Sequence, residues 1–158
     1  MVLSRAGTVR GLATIGFRVS HAVGQRFELA GAVIKQINQV VTGCDIAHEA
    51  QIGPGLRMLH PNGVVISPKA VIGSHFTIHS SVTLGGDPTG APRVGNHVNI
   101  APGARVLGAV VIGDRVRIGA NTVMTRTIQS EGDVATDVVI AGVPAKILRP
   151  VTQDEMRD

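Results

Sequence analysis

Residues 94–124 read VGNHVNIAPGARVLGAVVIGDRVRIGANTVM, and an aliphatic side chain returns at every sixth position of this stretch. An α-helix repeats about every 3.6 residues and a half-buried strand about every two, so this period fits neither element alone. It predicts short strands joined by turns and stacked around one buried aliphatic column, which is an all-β solenoid. The period covers Ile46, Ile52, Met58, Ile66, Ile72, Ile78, Leu84, Val94, Ile100, Val106, Ile112, Ile118 and Met124.

The residue after each aliphatic position is usually small, which relieves crowding where the chain bends. The alternative is a β-sandwich with glycine-rich turns, but its strands would be spaced less evenly. The regular period therefore favours the solenoid. The small residues are Ala47, Gly53, Gly73, Gly85, Gly95, Ala101, Gly113 and Gly119.

The period slips at two places. The step from Met58 to Ile66 is two residues too long, around His60 to Gly63. The step from Leu84 to Val94 is four residues too long, around Asp87 to Arg93. A solenoid accommodates insertions at its corners, and such loops often carry binding chemistry. Both slips are therefore candidate functional sites.

The segments on either side of the repeats differ from them. Apolar residues between Phe27 and Val41 follow helical spacing, and Gly43 is a suitable C-terminal cap, so we expect a helix that covers one end of the solenoid. The residues from Lys146 onward predict a short, frayed polar tail. The expected organisation is an N-terminal helical cap over 1–43, a repeat domain over 44–148 and a C-terminal tail over 149–158.

The composition limits the classes of function. The chain has 15 basic and 11 acidic residues, without a run of Lys and Arg, so nucleic-acid binding is not expected. The lone Cys44 excludes an intrachain disulfide, is not part of a zinc-type ligand cluster, and is interpreted as a small buried residue. We find no export signal or spanning segment, and expect a reduced, cytoplasmic protein without membrane contact.

Five segments between Cys44 and Leu148 occur in a fixed order: Asp45-Ile46, Ile52-Gly53-Pro54-Gly55, His60-Pro61-Asn62-Gly63, Ser81-Val82-Thr83-Leu84-Gly85-Gly86 and Ala141-Gly142-Val143-Pro144-Ala145. Together they resemble the serine acetyltransferase branch of the hexapeptide-repeat acyltransferases. The resemblance implies a left-handed parallel β-helix and a homotrimer with active sites between neighbouring subunits. It also implies acetyl-CoA as co-substrate, with no permanently bound cofactor and no metal.

In the family that the chain resembles, the histidine at the position of His60 is the general base, and the aspartate at the position of Asp45 orients it. Imidazole suits the role because its ordinary pKa lies near neutrality. Gly85 and Gly86 allow backbone N–H groups to approach the oxygen of a tetrahedral intermediate. The predicted acetyl-CoA contacts are Thr83, Ala141, Gly142, Val143 and Lys146, with Arg149 as a further candidate for the phosphates.

The chain also departs from that family. Its serine-specific members carry an Asp directly before the base histidine, where this chain has Leu59, and an Arg-His pair where this chain has Gly90-Ala91. These are the groups that hold the charges of the amino acid. We therefore expect Leu59 to line the acceptor site together with Arg93 and His79, because His79 stacks on Leu59 one coil from His60.

The function predicted from these residues is acetyl-CoA-dependent transfer of an acetyl group to a hydroxyl of a small acceptor, either a sugar or a natural-product alcohol. A divergent serine O-acetyltransferase is the alternative within the class. A catalytically silent trimeric β-helix scaffold is the alternative of another class. The C-terminal isoleucine with which the serine enzymes dock into cysteine synthase is absent, so we expect no such docking.

Overall fold

The computed structural model describes residues 9–155, which form a parallel β-solenoid of about five turns preceded by two α-helices. Short strands pair along the solenoid axis into three flat sheets. Sheet A contains β1 (Asp45–Ile46), β4 (Val65–Ile66), β7 (Thr83–Gly85), β10 (Arg105–Leu107) and β13 (Val123–Met124). Sheet B contains β2 (Gln51–Ile52), β5 (Val71–Ile72), β8 (Arg93–Val94) and β11 (Val111–Ile112). Sheet C contains β3 (Arg57–Met58), β6 (Thr77–Ile78), β9 (Asn99–Ile100), β12 (Arg117–Ile118), β16 (Val138–Ala141) and β17 (Lys146–Pro150).

The six-residue period places the core as the sequence predicts. Every aliphatic residue of that column is at most 7% exposed, and the residue before it in each strand is at least partly exposed, except Thr77, which is buried. A second inward column, two residues earlier in each repeat, was not predicted, because small and polar members such as Ala50 and Thr122 obscure it. That column also includes Leu56, Val64, Ala70, Phe76, Val82, Val98, Ala104, Val110 and Val116.

Three edges separate the sheets, and we name them by the sheets they join. The C–A edge carries residues 59–64, 79–82, 101–104, 119–122 and 142–145, the A–B edge includes 86–92, and the B–C edge includes 73–76, 95–98 and 113–116. Non-glycine residues with left-handed backbone recur at two edges, for example His75 and His97 at the B–C edge and Ser81 at the C–A edge. At these two edges the chain therefore turns through a residue with left-handed backbone, which is a glycine, such as Gly55 or Gly63, in other coils.

The two helices form a hairpin over the first coil. The predicted helix is confirmed as α2 (Glu28–Thr42), which ends at Gly43 in the left-handed conformation. The other helix, α1 (Val9–Gly24), was not predicted, because glycines and Ser20 interrupt its apolar pattern. A Cβ at Gly31 would lie 2.5 Å from the Gly24 Cα, so the two helices can approach this closely only through glycine.

Contacts with the first coil fix the hairpin as a cap. Phe17 is buried, and Arg18 donates hydrogen bonds to the carbonyl oxygens of Ile52, at 2.5 Å, and Gly53. These contacts hold the hairpin against the first coil of the solenoid. Neither helix in residues 9–155 has the length and apolar character that crossing a membrane requires.

The C-terminal segment corrects one expectation. The residues from Lys146 onward were expected to be frayed, but Lys146–Pro150 forms strand β17, antiparallel to β16. Val151 is buried, and its N–H donates to the Asp137 carbonyl oxygen at 2.8 Å. The polar composition did not indicate a strand here. The segment is ordered by its pairing with β16, and β16 lies outside the six-residue period. A further antiparallel hairpin joins β14 (Gln129–Ser130) and β15 (Asp133–Val134).

Candidate active site

His60 lies on the C–A edge, two residues after the end of β3, and is exposed. The turn that follows it contains the two extra residues of the first slip. The Gly63 N–H donates to the Gly43 carbonyl oxygen at 2.8 Å, and the Val64 N–H donates to the Pro61 carbonyl oxygen at 3.1 Å. One hydrogen bond thus lies within the turn and the other joins the turn to the C-terminal cap of α2. Together they fix the backbone next to His60 at the end of the first coil.

Asp45 opens β1 near the same edge, and its N–H donates to the Val64 carbonyl oxygen at 2.8 Å. Its carboxylate forms an ion pair with Lys35 of α2, which also donates to Gln39 Oε1 at 3.1 Å. The structure therefore places Asp45 beside the turn of His60 but directs its carboxylate to the cap. The orienting role of Asp45 stays a prediction, and sequence reasoning missed Lys35.

His79 occupies the predicted place relative to the candidate base. The Leu59 N–H donates to the Ile78 carbonyl oxygen at 3.0 Å, because Met58 and Ile78 pair in register. Burial lowers the pKa of the His79 imidazole below its usual value, and repulsion from His60 lowers it further. The predicted stacking of His79 on Leu59, one coil from His60, is therefore confirmed.

His60 and Leu59 open onto a cavity of about 1120 Å³ between the helical cap and the first coil. The cap contributes apolar side chains from the first half of α1 and the last turn of α2, and sequence reasoning missed all of them. No local pattern could have indicated them, since they face the cavity only because the hairpin docks in this orientation. The lining includes Ile15, Val40, Val41 and Leu56, with Arg10, Thr14, Thr42 and Asn62 as polar members.

The second slip forms a tight turn on the A–B edge, after β7. Asp87 and Gly90 exchange backbone hydrogen bonds at 2.8 and 3.0 Å. A side-chain hydrogen bond from Thr89 lowers the pKa of the Asp87 carboxyl. A Cβ at Gly86 would lie 3.2 Å from the Gly90 carbonyl oxygen, so glycine fits where the turn closes.

The predicted residues around this turn are separated from His60 within one chain. Gly85 ends β7 and Gly86 begins the A–B edge, on the opposite side of sheet A from the C–A edge. Thr83 begins β7 in register with Val65 and Asp45, near the C–A edge but two coils along the sheet from Asp45. Arg93 is exposed on β8 in sheet B. One chain therefore does not bring the candidate oxyanion donors or Arg93 to the candidate base.

Of the residues predicted to bind acetyl-CoA, those of the Ala141–Lys146 segment lie at the edge of His60. Ala141 ends β16, and the Gly142 carbonyl oxygen accepts a hydrogen bond from the Val123 N–H at 3.2 Å. Val143 and Lys146 are exposed, and the Val143–Pro144 peptide bond is cis. Four strand spacings of about 4.8 Å separate this segment from His60, which is about 19 Å along the edge.

Two further observations concern the chemistry of the site. Burial, with a contribution from the Asp45 carboxylate, raises the pKa of the Cys44 thiol to about 12, so this cysteine is not a nucleophile at neutral pH. Across residues 9–155, no group of three or more His, Cys, Asp or Glu side chains is arranged to hold a metal ion.

Comparison with known proteins bears on both fold and site. Residues 91–126 match the family model of the bacterial transferase hexapeptide (six repeats). A serine acetyltransferase from Helicobacter pylori is 38% identical over 143 residues, which cover 86% of this chain and 79% of the relative. Among solved structures, soybean serine acetyltransferase complexed with serine has a TM-score of 0.80 at 31% identity, covering 90% of this chain and 58% of that chain. Serine acetyltransferase from Brucella abortus in complex with coenzyme A has a TM-score of 0.79 at 28% identity, covering 89% and 56%.

The six-residue repeats of this parallel β-helix and the matched family model identify a hexapeptide-repeat transferase. With the relatives above, the chain belongs to the serine acetyltransferase family of hexapeptide-repeat acyltransferases, and its fold is the left-handed parallel β-helix of that family. It is an acyltransferase, which sets aside the alternative of a silent scaffold. The chain spans less than three-fifths of the two solved relatives' length.

Proposed function

We propose that the protein transfers the acetyl group of acetyl-CoA to the hydroxyl of L-serine, as a divergent serine O-acetyltransferase. The observation that carries the proposal is the placement of His60, exposed at the mouth of a cavity and on the same edge as the Ala141–Lys146 segment. The relatives described above support serine as acceptor and coenzyme A as the carrier of the acyl group. This acceptor was the alternative in the sequence analysis, and the comparisons favour it over a sugar or natural-product alcohol.

In the proposed reaction, the His60 imidazole takes the hydroxyl proton as the acceptor oxygen attacks the thioester carbonyl carbon. The C–O bond forms and the carbonyl oxygen becomes an oxyanion, which the Gly85 and Gly86 backbone region stabilises. The C–S bond then breaks, and the departing CoA thiolate receives the proton from the imidazolium. Asp45 stabilises the charged imidazole, as the acidic member of a Ser-His-Asp triad does.

This mechanism requires a second copy of the chain, because Gly86 and His60 lie on opposite edges of sheet A. A homotrimer would bring the A–B edge of one subunit to the C–A edge of the next. The outer face of sheet A suits burial in such an interface, since Val65 on β4 and Leu107 on β10 leave apolar surface exposed. The trimer is thus part of the proposal.

A second candidate acceptor is an uncharged alcohol. Leu59 stands next to the base, and the cap adds Ile15, Val40 and Val41 to the same cavity. An ammonium group that enters such a cavity loses hydration without gaining a carboxylate partner among the described residues that line it. This apolar lining favours an acceptor with a neutral body, such as a natural-product alcohol.

The two acceptors are distinguished by measuring CoA release with a matched panel. L-serine, its methyl ester and N-acetylserine carry the same hydroxyl with different charges, and neutral sugars and alcohols extend the set. Saturable turnover that is highest with L-serine supports the serine enzyme. Higher turnover with the neutral acceptors supports the second candidate. Absence of CoA release with every acceptor would contradict both.

A further inference from the structure

A second cavity, of about 420 Å³, lies on the outer face of sheet C. Its floor is a row of outward side chains on four paired strands: Arg57, Thr77, Asn99 and Arg117. A guanidinium thus stands at each end, with a hydroxyl and an amide between. The backbones of the two arginines are three strand spacings apart, about 14 Å. Their long side chains can bring the two guanidinium groups closer together than that. Arg57 also borders the cavity of His60.

The B–C edge forms one wall of this cavity. The His75 and His97 rings are stacked, with centroids 4.7 Å apart and planes 12° apart. Arg115 follows in the same column and donates from Nη2 to Asp137 Oδ2 at 2.8 Å, in a bidentate pair. Asp137 thus neutralises Arg115, and the two stacked imidazoles add polar groups to this wall.

The C-terminal segment forms the opposite wall, through Val151 and Glu155. The Glu155 carboxylate accepts two hydrogen bonds from Arg149, both at 2.8 Å, and these bonds lower the pKa of that carboxyl. Arg117 donates to the Glu155 backbone carbonyl oxygen, which carries no formal charge. Among the described residues, the one carboxylate that lines the cavity is therefore already paired with Arg149, and it does not balance the positive charge of Arg117.

We propose that this cavity binds a small oxyanion, a phosphate or carboxylate group of a metabolite, outside the acyl-transfer site. Its volume lies within the range of metabolite pockets. The guanidinium fork matches the oxygens of both anions, while Thr77 and Asn99 supply further hydrogen bonds. The inference does not depend on the identity of the acetyl acceptor.

The test is equilibrium dialysis of the full chain against radiolabelled inorganic phosphate at low ionic strength. Asn99→Asp places a carboxylate in the middle of the floor with almost no change of shape. Gln129→Glu makes the same change of charge on exposed β14 and is the matched control. We expect saturable binding that Asn99→Asp weakens about tenfold or more through charge repulsion, whereas Gln129→Glu leaves it unchanged.

Competition identifies the source of the anion. Displacement of phosphate by succinate assigns the site to oxyanions in general, whereas resistance to succinate assigns it to phosphate. If Asn99→Asp fails to fold, Arg117→Gln replaces it, with the exposed Arg126→Gln as control, and only Arg117→Gln is expected to weaken binding. Unsaturable binding, equal affinities for variant and control, or displacement of phosphate by CoA would overturn the proposal.

Discussion

Lys35 on α2 and Asp45 on β1 form an ion pair, so the helical cap holds the carboxylate that is proposed to orient His60. Both side chains are partly exposed, at 23% and 35%. Pairs of this kind contribute at most about 1 kcal/mol to stability. The ion pair therefore affects the direction of the carboxylate more than the stability of the cap. Variants of Lys35 and Asp45 can thus test the role of the carboxylate.

The variants His60→Ala, Asp45→Asn and Lys35→Gln separate the base from its neighbours. His60→Ala is expected to lower turnover by about 10²- to 10⁴-fold with CoA binding retained, because general-base catalysis is lost. Asp45→Asn should lower turnover less, because the imidazole of His60 remains. Lys35→Gln should lower turnover least, because the Asp45 carboxylate also remains. Steady-state kinetics and CoA titration measure the order. Equal losses for Asp45→Asn and Lys35→Gln would mean that Asp45 acts only as the partner of Lys35.

His79 reports on the charge of His60. Because burial, and after it repulsion from His60, lower its pKa, His79 is expected to take up a proton at a lower pH than an ordinary histidine does. In His60→Ala the repulsion disappears while burial remains, so the pKa of His79 should rise toward its usual value. NMR titration of the imidazole follows this directly. An unchanged titration midpoint in His60→Ala would show that the two rings do not interact.

Leu59→Asp tests the acceptor preference. A carboxylate next to the base would pair with the ammonium of L-serine. A charged hydrogen bond of this kind contributes about 1.5–3 kcal/mol. The KM for L-serine should therefore fall by about tenfold or more. Leu59→Asn has the same shape without the charge and is the control. The prediction is wrong if both variants change the KM for L-serine equally.

Shared active sites can be tested by subunit mixing. His60→Ala and Gly86→Val should each be inactive alone, the second because the added side chain crowds the turn at Gly90. Mixed after unfolding and refolding, they should recover part of the activity, because some interfaces pair an intact His60 with an intact Gly86. Sedimentation velocity should show a trimer for each. A monomer, or a mixture without recovered activity, would contradict the proposed assembly.

Cys44 should be inert in the folded protein. Its pKa of about 12 lies above the ordinary thiol value, so the reactive thiolate is scarce at pH 8, and burial also blocks access. Iodoacetamide at pH 8 is expected to label the chain only after denaturation in guanidinium, as mass spectrometry would detect. Rapid labelling of the native protein would show that the first coil opens.

Much of the fold follows from local repetition. Each hexapeptide must return its aliphatic residue to the same column when coils stack, so the period identified the inward residues and the two slips identified both loops. The predicted neighbours Leu59 and His79 follow from the same register. The second inward column was not predicted, because Ala, Thr and Cys occupy its positions as well as Val. The hydrophobic period is therefore weak at these positions.

The sequence by itself determined the repeat register, the edge turns and the histidine at the first slip, because each depends on spacing along one chain. Only the tertiary structure decided that Lys35 holds Asp45, that α1 and α2 line the cavity of His60, and that the C-terminal segment closes a basic cavity on sheet C. These contacts join segments that share no period. They depend on how a helical hairpin and a terminal strand dock, and the docking is set by non-local packing, such as the Gly24–Gly31 crossing and the pairing of β16 with β17.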